Sequence, residues 1–214
     1  MQLICAVLAH DTTNIEQLAM ANVLAVHSVG NSIVTWLRNS YPAAIAGRPM
    51  PACAFDLVSC GQLAGDVEET TRVTLLLHRV AVNEHARQSR PANAAADGRA
   101  PLGLDLHYLL TAWAATPLDE QITFAWTLRQ LHEHPVLDAS SLSPEAEWAR
   151  DEVIQIVPSE LSTEDMMRIW DALDPSYRLS ATYVARYVRL DPDAPEEFRP
   201  VVARRFGLGT EGHS

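Results

Sequence analysis

The chain of 214 residues sets 27 acidic against 16 basic side chains, a formal net charge of −11, and every lysine position is filled by something else, so that its strong cations are all arginine. That field repels a phosphate polymer and disfavours nucleic-acid binding unless a basic patch is segregated. Three cysteines, Cys5, Cys53 and Cys60, form no CxxC pair and cannot all pair, which excludes a disulfide framework and a thiolate zinc site, while the want of any run of about 18 apolar residues excludes a membrane-spanning helix.

The opening run 3–9 is apolar but lacks a basic flank and is too short for a signal peptide, so a cytoplasmic protein is expected. Residues 14–41 then read as a long helix, with Leu18, Val26, Val29, Ile33, Trp36 and Leu37 near the helical period, Asn14 as cap and Pro42 as stop. Gly30 inside it costs about 1 kcal/mol of helix propensity and marks a bend or a close contact. The stretch 43–72 is rich in proline, glycine and alanine, and offers one strand around 53–60 with Phe55 and Leu57 on one face.

Residues 73–82 are β-branched and apolar on both faces, as a central strand covered on both sides requires. A polar stretch without period, 83–101, exceeds the usual loop length and is expected to be disordered or to bind something. Residues 102–112 alternate, with Leu102, Leu104, Leu106, Tyr108 and Leu110 on one face, and form the clearest strand.

Thr116, Pro117, Asp119 and Glu120 open a second helix that runs to about His132. Ser162 and Asp165 form a capping box for a third, in which Leu161 staples onto Met166, and Met166, Ile169, Trp170 and Leu173 face the core. Val153–Val157 and Leu179–Leu190 supply further strands. The fold class is therefore α+β, a mixed and mainly antiparallel sheet packed with about three helices. One domain is expected over 1–190, with 1–13 as an N-terminal extension, and 191–214 as a linker, a short strand and a flexible tail.

The titratable residues do not compose a reaction centre. His132 and His134 sit where a helix runs into Pro135, and helix ends attract histidine through capping and the dipole. His78 and His107 fall on neighbouring strands and are expected to be structural imidazoles that donate to backbone carbonyls. Gly207 to Gly212 lies in a terminal tail and not between a strand and a helix, no GxSxG elbow occurs, and Asp66, Glu68, Glu69, Glu196 and Glu197 read as solvated charge. No catalytic residue, cofactor or metal site is assigned.

From residue 73 onward the order of motifs resembles a known family. The carrying segments are Val73 to Asn83, then Pro101-Leu-Gly-Leu-Asp-Leu-His-Tyr-Leu-Leu-Thr-Ala112, Leu131-His-Glu-His-Pro-Val-Leu137, Leu161 to Leu173 with its Trp170-Asp-Ala-Leu173, and Tyr177-Arg-Leu-Ser-Ala-Thr-Tyr183. Together they are similar to the tail-terminator or cap proteins of extracellular contractile injection systems, phage-tail-like particles such as antifeeding prophages and Photorhabdus virulence cassettes. The resemblance implies a fold like that of phage tail terminators. It also implies a structural cap that forms a sixfold ring on the inner tube and contractile sheath, ends their growth and stabilises the extended sheath, with itself, sheath and tube as partners and neither nucleic acid nor membrane. The particle would assemble in the cytoplasm and leave on lysis. Residues 1–13 and 43–72 depart from the family pattern.

The surfaces free to meet such partners are expected in the polar loop and the basic tail, which single out Arg87, Arg90, Arg99, Arg204, Arg205 and Phe206. Two rival readings are an adaptor or chaperone that loads cargo into such a particle, and a hydrolase built on His78 or His107.

Overall fold

A computed structural model of the protein describes residues 21–63, 70–83, 101–173 and 176–192. The first helix, α1 (Ala25–Ser40), begins later than its periodicity suggests, because residues 21–24 are drawn into other bonds. Ala21 donates its amide to Asp191 Oδ2 at 3.0 Å and accepts the Asp191 amide at 2.9 Å, while the Asn22 side chain accepts from the Leu24 amide at 2.8 Å. Two backbone groups bonded to a distant strand end cannot also enter a helical ladder. The continuous helix expected from residue 14 is thus broken here, and Asn14 lies outside the described residues. The expected stop holds, since Tyr41 is extended ahead of Pro42.

A two-residue hairpin follows, β1 (Ala44–Ile45) and β2 (Arg48–Pro49), whose turn residues Ala46 and Gly47 both take positive φ, 49° and 78°. Next come β3 (Ala54–Val58), the single turn α2 (Cys60–Leu63), β4 (Arg72–Val82) and β5 (Leu102–Trp113). After them are α3 (Pro117–Glu133), β6 (Val136–Asp138), a 3-10 turn at Pro144–Ala146, β7 (Val153–Ser159), α4 (Thr163–Asp171) and β8 (Ser180–Leu190). Sequence reasoning passed over the β1–β2 hairpin, α2, β6 and the 3-10 turn, all of them too short to show a period. The α+β class is as expected.

Six strands form one sheet in the order β3-β4-β5-β8-β7-β6, with β3 parallel to β4 and every other pair antiparallel. Alternation along β5 decides what each face buries. Leu104, Leu106, Tyr108 and Leu110 point toward α1 and α3 and join Val29, Ile33, Leu37, Phe124 and Trp126 in the main core. Leu109 and Trp113 point the other way, into a smaller core with Leu63, Leu76 and Trp170 that α2 and α4 close.

Local chemistry explains how the helices are seated. Thr116 accepts from the Asp119 amide at 3.2 Å and Ser162 from the Asp165 amide at 3.1 Å, the two caps the sequence announces. Gly30 is a close contact: a Cβ there would stand 2.8 Å from Leu57 Cδ1, so any larger residue would make the Leu57 side chain turn aside for α1 to lie this near β3. Along the same helix Ser28 and Ser32 reach the 143–148 turn. Ser143 donates its amide to Ser32 Oγ at 2.8 Å, and Trp148 Nε1 donates to Ser28 Oγ at 3.0 Å. These bonds satisfy buried hydroxyls that would otherwise weaken the helix.

One expectation about β4 needs correction. Its first half, Val73 to Leu76, is buried on both faces, but Arg79, Val80 and Val82 are exposed. The reason is the length of β3, which ends opposite Leu76 and leaves residues 77–82 with no strand on that side among the described residues. A bulge at His78 then shifts the register from Leu77 opposite Tyr108 to Arg79 opposite His107.

Candidate interaction surfaces

The bulge in β4 brings His78 and His107 together, with ring centroids 6.2 Å apart. Burial first, then the charges of His107 and Arg79, hold the His78 imidazole below its ordinary range. Burial and then Arg79 do the same to His107, against a smaller pull from Asp105. Both rings therefore favour the neutral form, suited to packing. The expected carbonyl partners are not what they meet, because the described contact of each ring is with the other.

Among the described residues no three His, Cys, Asp or Glu side chains gather as a metal site would require. His134 donates its amide to the Gln130 carbonyl at 3.0 Å and lays its ring 5.0 Å from that of Trp36, the helix-end use anticipated for it. The Cys53 thiol is pushed up to about 12 by burial, so it is a weak nucleophile, while Cys60 is exposed and Cys5 lies outside the described residues.

The candidate partner residues Arg87, Arg90, Arg99, Arg204, Arg205 and Phe206 also lie outside the described residues. What the described residues offer instead is three surfaces that sequence reasoning missed. The first is the edge of β4 from 77 to 82, which no strand among the described residues covers and which can accept another strand. The second is the margin of the smaller core, where the half-buried Arg72 and Arg178 stand 5.5 Å and 5.6 Å from the centre of the buried Trp113 ring, with Trp170 behind it at 6.1 Å.

The third is half of a sheet face. Register aligns Arg79, His107, Val184 and Val157 across β4, β5, β8 and β7, and the next row sets Arg186 beside Gln155. The parity of 102–112 carried this signal, but parity alone does not say which half of a face a helix covers.

Residues 28–204 match the family described as the Pvc16 N-terminal domain. That span includes the whole of the 43–72 stretch, which by its sequence departs from the family pattern. Among solved structures, the fold is similar to a PVC sheath/tube terminator of an extracellular contractile injection system in its extended state, with a TM-score of 0.50, 18% identity, and coverage of 87% of this chain and 64% of that one. It is also similar to the anti-feeding prophage cap, a tube-terminating cap, with a TM-score of 0.49, 18% identity, and coverage of 84% and 60%. The chain thus spans a little under two thirds of either protein. No curated protein matches it.

Proposed function

This chain belongs to the Pvc16 N-terminal domain family, and from that premise we propose that it is a structural cap of a phage-tail-like contractile injection system. In this reading it forms a ring with copies of itself, sixfold as the resemblance implies, on the end of the inner tube and sheath. The observation that carries it is the family match across 28–204, joined by a fold shared with a sheath/tube terminator.

A cap works by geometry. The growing face of a tube is a heterologous interface that repeats without closing until something occupies it and presents no copy of that face. No bond chemistry is needed, and we read the chain as non-catalytic. Contacts made only to the extended sheath would hold it in that state, because a ligand shifts an equilibrium by its difference in affinity for the two forms. The open edge of β4 suits such contacts, since strand addition gives main-chain hydrogen bonds along a whole segment.

Residues 1–190 act in this reading as one unit, with the segment after 190 and the 84–100 loop as arms toward neighbours. Assembly takes place in the cytoplasm, and no helix among the described residues is long and apolar enough to cross a membrane. Deleting the gene should yield particles of irregular length or with unstable sheaths under the electron microscope. Uniform, normal particles from the deletion strain would refute the cap role.

A further inference from the structure

The helices α2 and α4 cover only one half of their sheet face, the half built around Leu76, Leu109 and Trp113. The other half carries no helix among the described residues. Val153 is 51% exposed there, and Gln155, Arg79 and Arg186 are exposed around it. Neither arginine enters an ion pair among the described residues. The carboxylates of that half are already engaged. Asp105 accepts from the Tyr187 amide and from Asn83, and Asp138 accepts from Ser140 and Ser141. The exposed Val153, with the half-buried Val157 further along the same face of β7, is thereby bordered by two cations that have no ion pair among the described residues, on a chain whose net charge is −11.

The complementary surface lies on the same molecule. In α4, Met166, Ile169 and Trp170 face the sheet, so helical spacing sends Met167 and Asp171 outward at i and i+4, while Glu164 on the same flank is already held by Arg168 at 2.5 Å. Met167 is an exposed apolar side chain, and α4 begins with Glu164 and Asp165. Copies of so acidic a chain repel one another at long range, so self-association requires opposite charges to meet locally.

We infer that the outward flank of α4 in one copy docks on the open half-sheet of a second copy. Met167 packs on Val153, while Asp171 faces Arg186 and Arg79. The donor and acceptor patches are different surfaces, so the contact is heterologous and makes a ring where its rotation closes. The inference rests on the self-association that the cap reading requires, and it names the surfaces that make it.

The test is a charge swap in the full chain, followed by mass photometry and sedimentation velocity, with circular dichroism to confirm that each variant is folded. Arg186→Glu and Asp171→Arg should each weaken self-association by at least about tenfold, and the double variant should recover most of it. Added salt should weaken the wild-type assembly. Single variants that assemble like the wild type, or a double variant no better than either single one, would overturn the assignment of these surfaces and leave the cap reading standing. A wild-type chain that stays monomeric at every concentration would remove the self-association beneath both.

Discussion

Asp105 Oδ1 accepts the backbone amide of Tyr187 at 3.1 Å, and Tyr187 holds a left-handed backbone with φ of 65°. The two residues meet at a bulge where Arg186 and Tyr187 of β8 oppose the single Asp105 of β5. The same oxygen accepts from the Asn83 side chain at 3.0 Å. A carboxylate therefore supports a conformation that a tyrosine adopts only at a cost.

Removing that support should be felt. Asp105→Ala is expected to lower stability by about 1–2 kcal/mol, and Asp105→Asn, which keeps an acceptor, by less. Tyr187→Gly should be neutral or stabilising by up to about 1 kcal/mol, because glycine takes positive φ without strain. Urea denaturation of the three variants checks the order.

Tyr108 makes the opposite case. Its ring fills the main core at 1% exposure, but its hydroxyl is buried with no hydrogen-bond partner among the described residues, and burial raises its pKa. Tyr108→Phe removes an unpaired polar atom and preserves the packing, so it should raise stability by roughly 1 kcal/mol. A higher denaturation midpoint with an unchanged slope is the expected readout.

Arg189 bridges Glu152 and Asp191 at 3.5 Å and 3.2 Å, with Glu152 only 7% exposed. Burial raises the Glu152 pKa, and Arg189 opposes that rise. Arg189→Gln leaves the carboxylate desolvated and without its counter-ion, and should cost about 2 kcal/mol near neutral pH. A raised folded pKa favours folding below the unfolded carboxylate range and loses that benefit as pH rises through the folded value. The damage should therefore shrink toward about pH 4, where the folded group is largely protonated and no longer needs its counter-ion. Thermal melts of the variant and wild type at the two pH values decide it.

His78 and His107 carry the reverse sign. Burial and Arg79 depress both imidazoles, so the unfolded chain binds protons first as pH falls below about 6.5. Their contribution is present above that range and is lost as pH drops through the folded values. Replacing both by glutamine should flatten the acid side of the stability profile relative to the wild type, measured by melts between about pH 7.5 and 5.5.

The helix caps were legible because capping is a contract among residues three apart. Thr116 with Asp119 and Ser162 with Asp165 do in space what they do on paper. The strand at 102–112 was legible for a similar reason, since alternation is a property of one segment. The start of α1 was not, because Ala21 is claimed by Asp191, 170 residues away, and no local period records that claim.

The sequence by itself determined the α+β class, the caps and the alternation that gives β5 its main apolar face, all of which follow from interactions within a turn or a strand. Only the tertiary structure decided that β3 stops opposite Leu76, that bulges fall at His78 and opposite Asp105, and that α4 covers one half of its face while Arg79 and Arg186 border the other. Those outcomes depend on which strands lie side by side and where each one ends, and the pairing energies that settle them join residues far apart in the chain.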